Sequence, residues 1–109
     1  MEGLDARIKA HLKGDVATDT ETLTKMSRDT SVFTRTPSVV VYPKDAADVS
    51  ALVKTIAEAK SAGEDVSVTA RSAGTDMSGG PLTKSVLAVF TKYMNKVIEV
   101  GNGYAVTEP

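Results

Sequence analysis

A loop of small residues, RSAGTDMSGGP at positions 71–81, carries the groups best suited to chemistry in this sequence. Three glycines there can adopt positive φ and let a ligand approach the backbone closely: Gly74, Gly79 and Gly80. Three hydroxyl donors share the loop: Ser72, Thr75 and Ser78. Backbone N–H groups gathered in such a turn form a concavity that suits an anion such as a diphosphate. Arg71, which opens the loop, would supply positive charge or brace the turn.

Two phosphate-binding motifs do not match this loop. Gly74 and Gly79 have the separation of the glycines in the Mg–nucleotide loop, but that motif needs Lys and then Ser or Thr where this chain has Gly80 and Pro81. The GxGxxG fingerprint of dinucleotide sites is also absent, and Pro81 would start a long crossover helix poorly. An anion would therefore be bound by loop amides rather than by a helix N-terminus. A plain surface turn of the same composition is the alternative.

The residues before the loop have the pattern of a strand, a helix and a second strand. The β-branched run SVVVYP at 38–43 predicts a strand covered on both faces. Asp45 can cap the following helix, whose apolar residues recur at helical spacing until Gly63. VSVTA at 66–70 predicts the second strand. This is a βαβ unit with parallel strands and a right-handed crossover, and the loop leaves the carboxyl end of a strand, where open α/β sheets bind ligands.

Helices are predicted on the N-terminal side of this unit. An apolar residue at every fourth position over 4–13 predicts a short amphipathic helix that stops at Gly14. A second short helix over 20–27 would be capped by Asp19 or Thr20. Residues 16–31, which include this helix, are rich in Thr, Ser and Asp. Most of the rest of this segment is expected to be turn or coil.

Three apolar runs follow the loop, at 85–90, 96–100 and 104–109. Each predicts a strand, and GNG at 101–103 is a tight-turn signal that would join the last two as a hairpin. The predicted fold class is α+β, with a small mixed parallel and antiparallel sheet, a βαβ unit and flanking N-terminal helices.

Composition limits what the chain can be. Its 109 residues suit one small domain, and 13 basic against 14 acidic side chains give a net charge of −1, which argues against binding nucleic acid through bulk charge. The absence of Cys excludes thiolate metal sites, and a single His11 excludes sites that need two imidazoles. Asp76 alone makes a poor metal site, so no metal is predicted. No apolar stretch approaches the ~20 residues that span a bilayer and no secretory signal is present, so we expect no membrane span and a cytoplasmic location.

The order of these segments resembles the start of the FAD-binding domain of FAD-linked oxidases of the vanillyl-alcohol oxidase type, shared with glycolate oxidase subunits and D-lactate dehydrogenases. The residues that carry the resemblance are PSVVVYP at 37–43, the helix start DAADV at 45–49 and RSAGTDMSGG at 71–80. SRDTS at 27–31 and VTEP at 106–109 also resemble the corresponding family segments.

The resemblance implies that the loop wraps the FAD diphosphate through main-chain amides, with Pro43 beside the adenine end. Family members that bind flavin covalently in this loop have His where this chain has Thr75, so the resemblance implies non-covalent FAD. Gly is frequent in the family at the position of Ala73, whose methyl group is tolerated only at negative φ. The implied cofactor-binding residues are Pro43, Arg71, Ser72, Ala73, Gly74, Thr75, Asp76, Ser78, Gly79 and Gly80.

The resemblance also implies that larger parts of the protein lie outside this sequence. Residues 1–36 would then form an N-terminal helical and coil segment, and 37–109 would form the first lobe of the FAD-binding domain, which we expect to be cut at residue 109. A second lobe and a substrate domain that carries the catalytic residues would be the partners of this lobe, so no catalytic residue is predicted here and the isolated fragment is expected to be inactive.

The implied function is that of a fragment of an FAD-dependent oxidoreductase, whose parent oxidises a small 2-hydroxy acid such as lactate or glycolate. Apolar surface left uncovered would favour association between copies of the fragment. The alternative is a non-enzymatic α/β module that binds another phosphate ligand or a protein partner.

Overall fold

The computed structural model describes residues 3–109, in which every strand and helix expected from the sequence is present and one further strand is added. The elements are α1 (Leu4–His11), β1 (Asp15–Ala17), α2 (Thr20–Lys25), β2 (Val39–Tyr42), α3 (Ala46–Ser61), β3 (Val68–Arg71), β4 (Val86–Val89), β5 (Val97–Gly101) and β6 (Tyr104–Thr107). No helix within residues 3–109 has the length and apolar character needed to cross a bilayer.

A four-stranded sheet in the order β1-β2-β4-β3 forms the centre of the fold. β4 lies between β2 and β3 and is parallel to both, so the strands of the predicted βαβ unit are parallel and separated by one inserted strand. β1 pairs antiparallel with β2 at the sheet edge, which makes the sheet mixed as predicted. The sequence did not predict β1, because its three residues, DVA, are too short to show a period.

Both faces of the two inner strands are covered, as the apolar run at 38–43 predicted for β2. Val39 and Val41 of β2 face the helices α1 and α3, in a cluster that includes Ile8 and Leu52. Val40, which points the other way, packs with residues of β4 and with Leu23 and Met26 at the α2 side. Alternation along the strand therefore places helices on both sides of the sheet.

Helix α3 begins where the sequence predicts. The Asp45 carboxylate is its N-cap and accepts a hydrogen bond from the Asp48 amide at 2.9 Å. Leu52, Ile56 and Ala59, on one side of the helix, are buried against the sheet. This packing fixes the βαβ connection and with it the start of β3.

Gly14 is required for a reason other than the predicted helix stop. Helix α1 ends at His11, and its C-cap, Leu12, has extended backbone angles. A Cβ atom at Gly14 would lie 2.0 Å from the carbonyl oxygen of Tyr42, which is backbone and cannot move aside easily. The absent side chain therefore permits β1 to approach β2.

The predicted hairpin is confirmed and forms a sheet of its own. β5 and β6 pair antiparallel around the turn at Asn102 and Gly103, with a register shift between Val97 and Glu99. Neither strand joins the four-stranded sheet. Most of its residues are exposed, including the large side chains of Ile98 and Val100.

Candidate functional site

The carboxyl ends of three parallel strands meet at one edge of the sheet. β2 ends there at Tyr42 and is followed by the buried Pro43. β3 ends at Arg71, which is paired with Val89 at the end of β4. The loop at 72–81 therefore leaves the sheet where the sequence predicted, on the edge at which open α/β sheets bind ligands.

Two glycines of the loop adopt the left-handed conformation that a compact turn requires. The φ angles are 72° at Gly74 and 81° at Gly79. Gly80 does not have positive φ, but a Cβ atom there would lie 2.9 Å from a carboxylate oxygen of Asp76. No non-glycine residue within 3–109 has positive φ, so Ala73 meets the condition under which its methyl group is tolerated.

The backbone amides of the loop are available to a ligand. The strand ladder ends with a bond from the Phe90 amide to the Arg71 carbonyl, at 3.0 Å. Beyond that point, the amides of residues 72–78 donate no hydrogen bond to any group in the described part of the chain. Apart from the buried Gly74, these residues are exposed. Unpaired N–H groups crowded into one turn attract an anion.

The Arg71 side chain lies against the loop, an arrangement that fits the predicted bracing role. Its side chain is partly buried, and Nη1 reaches the carbonyl oxygen of Met26 at 3.5 Å. The guanidinium also fills the space beside Gly74, where a Cβ atom would lie 2.2 Å from Nη2. Arg71 therefore joins the loop to the segment that follows α2.

A segment that we call the strap, residues 27–35, lies against the loop. It folds back on itself through an isolated bridge between Arg28 and Thr34 and a hydrogen bond from the Arg35 amide to the Ser27 carbonyl, at 3.1 Å. The Phe33 ring lies so close to Gly79 that a Cβ atom there would be 3.2 Å from Cδ2. Sequence reasoning noted residues 27–31 only as a family segment and assigned them no contact.

A groove of about 370 Å³ separates the strap from the far side of the loop. The strap contributes an aromatic ring and a positive charge to it, and the loop contributes small residues. Its lining residues are Phe33, Thr34, Arg35, Ser78, Gly79 and Leu82. Since Ser78 and Gly79 were predicted to bind the anion, the groove provides a concave surface beside them and adds Arg35, which the sequence did not single out.

A carboxylate of the strap also faces the loop. Hydrogen bonding from Ser31 is the main cause that lowers the pKa of Asp29, and the Gly79 amide contributes to the same shift. Oδ2 of Asp29 is buried and has no hydrogen-bond partner among the described residues. Asp29 is therefore ionised at neutral pH.

Asp48, in the first turn of α3, is a buried structural carboxylate. It is 2% exposed and accepts hydrogen bonds from the amides of Lys13 at 3.0 Å, Gly14 at 2.9 Å and Lys44 at 3.0 Å. Burial acts to raise the pKa of Asp48, but these three amides together outweigh it and hold the pKa below its ordinary value. Through these hydrogen bonds the Asp48 carboxylate joins the turn after Pro43 to the residues that precede β1.

A second polar cluster lies at the same edge of the sheet. The Tyr93 hydroxyl donates to Asp15 at 2.6 Å, and Lys92 forms an ion pair with the same carboxylate. Lys92 Nζ also lies 4.9 Å from the centre of the Tyr42 ring. Hydrogen bonds from Lys92 and then Tyr93 lower the pKa of Asp15. This cluster ties the turn after β4 to the edge strand β1.

No group of three or more potential metal-ligating side chains occurs in residues 3–109. The groups that the site offers to an anion are backbone amides and the two nearby arginines, Arg35 and Arg71.

Comparison with known families identifies the family of the domain that contains this loop. A family model described as an FAD binding domain matches residues 37–109. The chain belongs to this family of FAD-binding domains. The matched region begins just before β2 and includes the whole loop, so the cofactor expected from the sequence, FAD, is confirmed.

Two D-2-hydroxyglutarate dehydrogenases are similar to the chain in sequence. That of Pseudomonas putida is 29% identical over 99 residues, which cover 91% of this chain and 10% of the relative. That of Escherichia coli is 30% identical over 87 residues, which cover 80% of this chain and 8% of the relative. The chain therefore spans about a tenth of the length of the curated relatives it matches.

Solved structures share the fold. An alkyldihydroxyacetonephosphate synthase matches 93% of this chain with a TM-score of 0.71 at 17% identity, over 20% of its own length. A p-cresol methylhydroxylase with substrate bound matches 92% with a TM-score of 0.70 at 20% identity, again over 20% of its length. The predicted fold class and the resemblance to FAD-linked oxidases of the vanillyl-alcohol oxidase type are confirmed.

The loop fits the diphosphate part of FAD. A diphosphate needs several hydrogen-bond donors within one short turn and no side chains in its path. The amides of residues 72–78 are unpaired in the described chain, and apart from Gly74 these residues are exposed. The chain also places Arg35 at the adjoining groove, beside Ser78 and Gly79.

Proposed function

We propose that residues 71–80 hold the diphosphate of non-covalently bound FAD in a flavin-dependent dehydrogenase. The observation that carries this proposal is the row of unpaired amides from Ser72 to Ser78 at the carboxyl end of β3, in residues that are exposed apart from Gly74. The binding residues are those implied by the family resemblance, with Arg71 as a brace: Pro43, Arg71, Ser72, Ala73, Gly74, Thr75, Asp76, Ser78, Gly79 and Gly80. When bound, FAD would accept a hydride equivalent from the substrate.

Arg35 is proposed as a further contact to the bound cofactor. It lines the groove beside Ser78 and Gly79, and it is exposed, so its charge is free to meet an anion. We expect Arg35→Gln to raise the Kd for FAD at least about tenfold, since a hydrogen bond to a charged group contributes about 1.5–3 kcal/mol. Flavin-fluorescence titration of the deflavinated whole protein measures this.

Arg28→Gln is the matched control for Arg35. Arg28 is an exposed arginine of the same strap but does not line the groove. It should keep the FAD affinity within about twofold, because an exposed charge away from the ligand contributes little. Equal losses in the two variants would show that general charge, rather than contact at the groove, accounts for the effect.

The non-covalent linkage has a simple test. Thr75 offers no imidazole at the position where covalently flavinylated relatives have His, and Thr does not form that bond. Acid or heat denaturation of the whole protein should therefore leave all of its flavin in the supernatant. Flavin absorbance that stays with the precipitated polypeptide would contradict the proposal.

The proposed substrate of the whole protein is a D-2-hydroxy acid, with D-2-hydroxyglutarate first. The two relatives described above carry that substrate in their names. The sequence also suggested lactate or glycolate, so the three acids are the arms of one experiment. Anaerobic addition of each acid to the flavin-loaded protein should bleach the flavin absorbance fastest with D-2-hydroxyglutarate. Faster bleaching by lactate or glycolate would reassign the substrate, and no bleaching by any of them would remove this substrate class.

The predicted partners and boundaries stay proposals. The boundary at residue 37 coincides with the start of the family match, although α1 and β1 share the core of the four-stranded sheet.

The exposed apolar side chains of the hairpin, such as Ile98 and Val100, favour a covering partner, either another lobe of the whole protein or a second copy. The cytoplasmic location also stays a prediction.

A further inference from the structure

The Thr30 hydroxyl contacts two carbonyl groups of the FAD-binding loop. Its Oγ1 lies 2.8 Å from the carbonyl oxygen of Thr75 and 2.8 Å from that of Asp76. A threonine hydroxyl has one proton to donate, so the two carbonyls share it as a three-centre bond. Among the described residues, these two hydrogen bonds join the strap to the backbone in the middle of the loop.

The two contacts set the direction of two amides. No peptide bond in the described chain is cis, and in a trans peptide the C=O and N–H groups point in opposite directions. The Thr75 carbonyl shares its peptide with the Asp76 N–H, and the Asp76 carbonyl shares its peptide with the Met77 N–H. Because both carbonyls point at the strap, both N–H groups point away from it, and neither donates to a described residue.

We propose that Thr30 is a positioning residue, which aims the amides of Asp76 and Met77 at the diphosphate of the bound cofactor. The inference rests on the proposed function of the loop and adds a residue outside it. The two carbonyls accept a hydrogen bond from Thr30 alone among the described residues, so its removal leaves both peptides without an anchor. A donor that must first rotate into place binds more weakly than one that is already oriented.

Two substitutions at Thr30 test the proposal in the deflavinated whole protein. Thr30→Val keeps the shape and removes the donor, while Thr30→Ser keeps the donor. We expect Thr30→Val to raise the Kd for FAD about fivefold, the effect of one hydrogen bond, and Thr30→Ser to restore it. Thr18→Val, at an exposed threonine outside the strap, is the matched control and should leave the Kd unchanged.

Competition by ADP and by adenosine separates positioning from general weakening of the fold. If Thr30 orients the amides that bind the diphosphate, Thr30→Val weakens the binding of ADP by the same factor as that of FAD. The affinity for adenosine, which has no diphosphate, stays unchanged. Equal losses of ADP and adenosine, together with a lowered melting temperature that serine does not restore, would overturn the inference. So would an unchanged Kd for FAD in Thr30→Val, and neither result would touch the proposed role of the loop, since the amides themselves remain. The proposed function fails separately, if Gly74→Ala leaves FAD affinity intact.

Discussion

Gly74→Ala is expected to lower FAD affinity at least about tenfold and to destabilise the folded chain. Gly74 is buried with a φ of 72°, a conformation that costs a residue with a Cβ atom about 1–2 kcal/mol. The new methyl group would also lie 2.2 Å from Nη2 of Arg71 and would displace that guanidinium. Displacement removes the brace between the loop and Met26, so the amides that meet the diphosphate lose their arrangement.

Gly63→Ala is the control for this substitution. Gly63 has a φ of 91° and no atom within 4 Å of a Cβ, so it carries the same kind of backbone strain without any clash and outside the loop. Urea unfolding of the deflavinated proteins should show a similar loss of about 1–2 kcal/mol from strain in both variants. Only Gly74→Ala should also show a lower affinity for FAD in fluorescence titration. A parallel loss of FAD in Gly63→Ala would mean that stability, rather than loop geometry, governs binding.

Asp48→Asn is expected to destabilise the chain by about 2–4 kcal/mol, the largest effect on folding of any substitution considered. Oδ1 accepts from the Lys13 amide, a bond that asparagine can keep. Oδ2 accepts from the amides of Gly14 and Lys44, so an NH₂ group there would face two donors in a buried place. Urea unfolding at neutral pH measures the loss.

The contribution of Asp48 depends on pH in a definite direction. Its pKa in the folded chain lies below the ordinary 3.8, so it stabilises the fold above that pH and the stabilisation is lost as the pH falls through the lowered folded-state pKa. The difference in the free energy of unfolding between the original chain and Asp48→Asn should therefore be constant near neutral pH. It should become smaller below about pH 4. Asp65→Asn, at an exposed aspartate, should change stability by less than about 0.5 kcal/mol. A difference that grows on acidification would contradict the burial and bonding described for Asp48.

Local patterns were enough to predict the elements that carry the loop. The run of valines in β2 predicted a strand buried on both faces, since a strand between two layers needs no polar alternation. The glycines and small residues after β3 predicted a turn with left-handed glycines, because φ preferences act within a few residues.

The residues that the sequence did not reveal act across long separations. Thr30 meets the loop from 45 and 46 positions away, and its segment shows neither helical nor strand periodicity. Asp48 has the position of an ordinary first-turn acid, and its burial depends on amides 34 and 35 residues earlier in the chain. β1 is three residues long and is stabilised by pairing with β2 rather than by its own propensity.

A crystal structure of the flavin-loaded whole protein tests most directly whether this loop holds the cofactor. We expect oxygens of the FAD diphosphate within about 3.2 Å of amide nitrogens between Ser72 and Gly80. Those of Asp76 and Met77 should be among them. A diphosphate bound elsewhere, with the loop amides facing solvent or turned toward the strap, would contradict the assignment.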